Sequence, residues 1–127
     1  MNVIIAGGRD FVPNSDHANW LVEWLIELDP DLVITGGAPG ADSFGDTVAS
    51  HIQMNTLVIP ADWKTLGKAA GPIRNKKMAE LADLLLVFPG GTGTDNMCNV
   101  MALQKKRIIY YDNDWSPHFK QGNKNES

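Results

Sequence analysis

Phe88-Pro89-Gly90-Gly91-Thr92-Gly93-Thr94 follows the apolar stretch Leu84-Leu85-Leu86-Val87. A buried strand that opens into such a turn offers bare backbone N–H groups to an anion. Gly90, Gly91 and Gly93 permit positive φ and the close approach of a ligand, while Thr92 and Thr94 bring hydroxyls to the point where a helix would begin. Phosphate is the natural guest of such a turn.

Three further segments carry residue types with chemistry: Gly7-Gly8-Arg9-Asp10, Gly36-Gly37-Ala38-Pro39-Gly40-Ala41-Asp42 and Ala61-Asp62-Trp63. Structural turns alone do not need Arg, Asp and Trp beside the glycines. Arg9 and Asp10 read as site residues, with a weak surface pair as the plainer alternative. Gly36 and Gly37 serve either a tight turn or a ligand. Trp63 either closes the core or stacks on a base. The first turn lacks the third glycine of G-x-G-x-x-G, and no G-x-x-x-x-G-K-[ST] occurs, which disfavours NAD binding and P-loop ATP hydrolysis.

His17, His51 and His118 lack the mutual spacing or acidic partners of a metal site, and exposed or capping roles are expected for them. Cys98 is the single cysteine, so neither an internal disulfide nor a cysteine-rich metal site can be built. It reads as a packing residue whose pKa the nearby helix N-terminus lowers somewhat. No metal and no cofactor are expected.

The elements that must position these residues repeat as β-α. Apolar runs at 3–6, 31–35, 56–60, 84–88 and 107–111 are continuous rather than alternating, the pattern of strands covered on both faces. The expected fold is α/β, a Rossmann-like three-layer sandwich with a mostly parallel sheet of about five strands. The first helix takes Ser15 or Asp16 as N-cap, turns Trp20, Leu21, Trp24, Leu25 and Leu28 inward, and stops at Asp29-Pro30. A second starts near Gly40-Ala41-Asp42 and buries Phe44, Val48 and Ile52. A third begins at Gly71-Pro72, which places Arg74 in its first turn. The fourth leaves the 92–95 turn, carries Met97, Val100, Met101 and Leu103 inward, and ends at the basic run 104–107, which suits its dipole. Loops at the carboxyl ends of parallel strands share one edge of the sheet, and every motif above falls there.

A chain of 127 residues with 43% apolar and 20% charged residues has room for one domain, expected over 1–115, with a flexible tail over 116–127. The net charge of −4 and a pI near 5.2 argue against a broad nucleic-acid surface and leave a small anionic ligand. No stretch approaches the length of a membrane span, and Met1-Asn2-Val3-Ile4-Ile5 shows no signal-peptide pattern, so a cytoplasmic location without membrane contact is expected.

Pro89-Gly90-Gly91-Thr92-Gly93-Thr94 matches the P-G-G-x-G-T motif of the SLOG superfamily, which includes the Lonely Guy phosphoribohydrolases and the DprA-like nucleic-acid proteins. With the three segments above, Gly67-Lys68-Ala69-Ala70-Gly71-Pro72-Ile73-Arg74-Asn75 and Met78, the chain most resembles the small YspA-like SLOG family. The resemblance implies a Rossmannoid fold that binds nucleotides or nucleotide-derived ligands, with the turn holding phosphate, and a homo-oligomer of two or more subunits. In the Lonely Guy enzymes an arginine four residues before a methionine and a glutamate three residues after the motif's last threonine assist cleavage of an N-glycosidic bond to ribose 5′-monophosphate. Arg74 stands four before Met78 and matches, whereas the glutamate position holds Met97, which can neither stabilise an oxocarbenium-like cation nor activate water. Asp95, two residues earlier, either substitutes for it or caps the helix.

Residues and resemblance together give the ligand-binding set Gly7, Gly8, Arg9, Gly36, Gly37, Asp42, Asp62, Trp63, Arg74, Asn75, Pro89, Gly90, Gly91, Thr92, Gly93 and Thr94, with Arg74 and Asp95 as the catalytic candidates. The expected function is to bind a nucleotide-derived small molecule as a sensor or sequestering protein. The alternative is an N-glycosidic-bond hydrolase in which Arg74 orients the phosphate and Asp95, Asp42 or Asp62 faces the ribose. A DNA-associated role ranks last, because the basic groups Lys76-Lys77 and Lys105-Lys106-Arg107 are short.

Overall fold

Short apolar runs bounded by polar turns form β1 (Asn2–Ala6), β2 (Leu32–Thr35), β3 (Thr56–Val58), β4 (Leu84–Val87) and β5 (Arg107–Tyr110) in a computed structural model that describes residues 1–111. All neighbours pair in parallel, in the order β3-β2-β1-β4-β5. The helices are α1 (Ser15–Leu28), α2 (Ala41–His51), α3 (Trp63–Leu66), α4 (Ala70–Leu81) and α5 (Thr92–Leu103), with a 3-10 turn at Gly67–Ala69 between α3 and α4.

Alternation along the strands divides the core in two. Val3 and Ile5 of β1 pack with Val33, Leu84 and Leu86 under Leu21 and Leu25 of α1 and Ala41 and Ala49 of α2. Ile4 and Ala6 face the other way, with Ile34, Leu85 and Val87 against Met78 and Ala79 of α4 and Met97 and Met101 of α5. Helices therefore cover both faces, and the fold is the expected α/β, Rossmann-like three-layer arrangement. β3 departs from the expected coverage: it is the edge strand beside β2, and its three residues are exposed.

The helix ends correct several expectations. Asn14, not Ser15 or Asp16, caps α1: its Oδ1 accepts from the His17 N–H at 3.0 Å while its own N–H donates to His17 Nδ1 at 2.9 Å, a reciprocal capping box. His17 is thereby a capping residue, and a buried rather than exposed one. It stands edge-on to Phe11 and Tyr111, each 4.7 Å away between ring centroids. α1 ends where Asp29 adopts φ 45° and its N–H returns to Leu25 O at 2.9 Å.

In α2 the innermost line runs through Ala41, Asp42, Gly45 and Ala49, with Phe44, Val48 and Ile52 only half-buried beside it. The offset follows from close approach, since a Cβ on Gly45 would lie 2.7 Å from Ile5 Cγ2. α4 begins at Ala70, so Arg74 falls in its second turn rather than its first. Leu103 of α5 is 83% exposed. It stands two residues after the buried Met101, a step that carries it to the opposite side of the helix. The last turn of α5 holds no basic residue: the chain leaves the helix through Lys105 at φ 58°, and Lys106 Nζ crosses to the carbonyls of Ala79 (2.5 Å) and Glu80 (3.3 Å) at the end of α4. Among the described residues no helix is long and apolar enough to cross a membrane. The 116–127 tail, the boundary at residue 115 and His118 lie outside the described residues.

Candidate functional site

β1 connects through α1 to β2 on one side and pairs with β4 on the other, so the winding reverses between β1 and β4. Crevices at such reversals, beyond the carboxyl ends of the strands, are where open parallel sheets receive ligands. A cleft of about 730 Å³ opens there, lined by the loops that leave β1, β2, β3 and β4.

The loop after β4 delivers the N-terminus of α5. Gly91 is its N-cap and no side chain caps it. The first return bond is Asp95 N–H to Gly91 O at 3.0 Å, which leaves the N–H groups of Thr92, Gly93 and Thr94 as the orphan donors of the first turn. At the other helix starts at least one such donor is taken: Asn14 caps α1, Asp62 caps α3, the Ala41 and Ser43 N–H groups of α2 reach Gly8 O and Ala38 O, and the Ala70 N–H of α4 reaches Gly67 O. Gly90 is hemmed in, because a Cβ there would strike Thr94 Oγ1 and stand 2.6 Å from Gly8 N. Gly91 and Gly93 are not hemmed in, and a Cβ on either would meet nothing within 4 Å.

The loop after β2 is held from inside. Asp42 Oδ2 accepts from the N–H groups of Gly36 (3.1 Å) and Ala38 (3.2 Å), with Gly37 and Gly40 at φ 73° and 78°. Burial pushes the Asp42 carboxyl above its ordinary range, against the opposing pull of the Ala38 N–H, the Arg74 charge and the Gly36 N–H. Arg74 crosses from α4 to the same loop. Its Nη1 donates to Gly36 O at 2.8 Å and Ile59 O at 3.3 Å, and its Nε to Asn75 Oδ1 at 2.9 Å. A Cβ on Gly36 would overlap the guanidinium, so that glycine makes room for an arginine. Burial lowers the Arg74 pKa; Asp42 opposes the shift and the nearby Arg9 charge adds to it. Asn75 completes the connection, its Nδ2 donating to Gly93 O (3.3 Å) and Asn96 Oδ1 (2.9 Å). One run of hydrogen bonds thus ties the exits of β2 and β3 to the turn after β4.

Of the residues expected at the site, Gly7, Gly8, Arg9, Gly36, Gly37, Asp42, Trp63, Arg74, Asn75, Gly91, Thr92, Gly93 and Thr94 line the cleft, whereas Asp62, Pro89, Gly90 and Asp95 do not. Asp62 is exposed and caps α3 through the Thr65 N–H at 3.2 Å. Pro89 O accepts from the Gly8 N–H at 2.9 Å and so joins the exits of β1 and β4. Asp95 is exposed in the first turn of α5, while Met97 is buried and lines the cleft. Trp63 is 51% exposed and does not close the core; its ring lies over Gly71. Asn96 and Lys68 also line the cleft, outside the set expected from sequence. Asn96 stands one helical turn after Thr92, a spacing that could have marked it. Cys98 reverses its expectation: burial pushes the thiol up rather than the helix end lowering it, and its neighbour Tyr110 is pushed up to about 12, chiefly by burial.

No family model matches the chain. The Gene 61 protein of Mycobacterium phage D29 is 33% identical to it over 113 residues, which cover 84% of this chain and 90% of that protein. Among solved structures, the X-ray structure of TM1055, a structural-genomics target, superposes with a TM-score of 0.68 at 18% identity, over 85% of this chain and 72% of that one. DNA processing protein A (DprA) from Streptococcus pneumoniae gives a TM-score of 0.67 at 15% identity over 97% of this chain, which spans 54% of the length of DprA. The two structural likenesses are of fold alone, a Rossmann-like α/β arrangement.

Proposed function

This chain belongs to the family of the Gene 61 protein of Mycobacterium phage D29, and we propose that it binds a nucleotide or nucleotide-derived ligand, with a phosphate on the N–H groups of Thr92, Gly93 and Thr94. The observation that carries this reading is the contrast among the glycines. Gly90 is small because the protein fills the space around it, whereas Gly91 and Gly93 face open space beside three uncapped amides. Those amides gain an anion as their partner, and the positive end of α5 favours it.

Binding without cleavage is the form of the reading supported best, as a sensor or sequestering protein. The carboxylates lining the cleft are Asp10 and Asp42, and Asp42 is committed to the Gly36 and Ala38 N–H groups. Met97 occupies the place where a hydrolase of the resembling enzymes carries its acid. The proposal extends to membership of the YspA-like branch, a cytoplasmic location and a homo-oligomer. Calorimetric titration with nucleoside monophosphates, cyclic nucleotides and ADP-ribose, followed by chromatography of the mixtures, tests it. Intact ligand retained by the protein is the expected result. Release of free base that disappears in Arg74→Ala would replace the binder with an N-glycosidase, and failure of every compound to bind would overturn both.

A further inference from the structure

The cleft holds cationic side chains besides the amides of α5. Arg9, Lys68 and Arg74 line it against Asp10 and Asp42, in a chain whose formal charge is −4. Arg9 is exposed and makes no ion pair among the described residues. Arg74 is braced through Nη1 and Nε, while Nη2 has no partner among the described residues and is not sealed from solvent. A guanidinium fixed along one edge and open along the other is preorganised for an oxyanion. Arg9 lies close enough for its charge to act on Arg74, and two cations held together in one cleft favour an anionic guest.

This arrangement is anchored on a different strand exit from the amides of α5, to which Asn75 connects it. Arg74 Nη1 is anchored on Gly36 O, at the exit of β2, whereas Thr92 follows β4, and β1 lies between those strands. The exits of β2 and β4 are thus two inter-strand spacings apart, roughly 10 Å, wider than a single phosphate group spans. Resting on the nucleotide reading above, we infer that Arg74 and Arg9 form a second anion subsite. The ligand is then a nucleotide with two phosphoryl groups held apart by its ribose. That chemistry belongs to a free nucleoside 3′,5′-bisphosphate and equally to the 5′-phosphorylated end of a nucleic-acid strand.

Calorimetry on the full chain with the four nucleoside 5′-monophosphates, the matching 3′,5′-bisphosphates and 5′-phosphorylated dinucleotides separates the possibilities. At least one bisphosphate should bind about tenfold or more tightly than its own monophosphate, the gain of one further charge-assisted contact. In Arg74→Ala that ratio should fall toward one. Arg74 also braces two loops, so Arg9→Ala, at an exposed side chain, gives the same ratio in a protein whose fold is not in question. A dinucleotide that matches or exceeds the bisphosphate assigns the second phosphoryl group to a strand end; a weaker one assigns it to the free bisphosphate. Monophosphates that bind while bisphosphates gain nothing would overturn the second subsite alone, and no binding by any compound would overturn the nucleotide reading with it.

Discussion

Gly90 and Gly93 stand three residues apart in one turn and are glycine for opposite reasons. A Cβ at Gly90 would drive into Thr94 Oγ1 and crowd Gly8 N, on the stitch that joins the exits of β1 and β4. A Cβ at Gly93 would enter empty space at the second position of α5. Gly90→Ala should therefore lower stability by about 1–3 kcal/mol, the usual cost of overpacking. Gly93→Ala should hold or raise the melting temperature, since alanine is favoured over glycine in a helix by up to about 1 kcal/mol, while nucleotide affinity falls because the methyl group stands over the amides. Thermal denaturation with calorimetric titration of both variants reads the contrast. A Gly93→Ala protein that binds as the parent does would remove the phosphate from this turn.

The box that starts α1 makes one element sensitive to pH. His17 Nδ1 accepts the Asn14 N–H, which only the neutral imidazole can do. Burial holds the His17 pKa below its ordinary 6.5, with Asp16 pulling weakly the other way. The unfolded chain consequently takes up this proton first as the pH falls. The contribution is complete above the unfolded value, and it is lost as the pH drops from about 6.5 toward the lower folded value. Melting temperature should decline as the pH falls from 7 to below about 6.5, and His17→Gln, which keeps an N3 acceptor for the box, should flatten that slope. Equal slopes in the two proteins would exclude His17 as the cause. Asn14→Ala should cost about 1 kcal/mol at neutral pH by the same measurement. Sequence resolved elements such as α1 better than their ends. Asn14, Ser15 and Asp16 are all competent caps, and only the packing of His17 against Phe11, Phe88 and Tyr111 selects Asn14. The strands were legible because continuous apolar runs admit few other readings, and the turn after β4 because its glycines crowd together. The run from Gly36 through Arg74 and Asn75 to Gly93 was not, since it exists only once α4 lies across three strand exits. Before folding, Arg74 and Asn75 are simply two polar neighbours in a helix.

At the scale of the whole molecule, the sheet places β1 at its centre and leaves its two edges unlike. Strand order explains why motifs remote in sequence meet: exits of β1, β2, β3 and β4 converge on one cleft, with the glycine turn after β4 on one side of β1 and Arg74 anchored on the other. Among the described residues it also leaves β3 bare. Leu57 and Val58 on that strand, Trp63 and Leu66 on α3, and Ile73 on α4 are each between 38% and 51% exposed. An edge strand with apolar side chains in the open invites pairing unless something covers it. The homo-oligomer proposed above supplies a cover in a second copy of the chain, and Trp63, which lines the cleft, would bring that contact to the rim of the ligand site. Sedimentation of the purified protein should then give a mass of two chains or more. Leu66→Glu should shift it toward one chain with an unchanged far-ultraviolet spectrum, because Leu66 belongs to neither core cluster. A parent protein that sediments as a single chain across its accessible concentration range would remove the oligomer, and it would leave the cleft to be completed within one subunit.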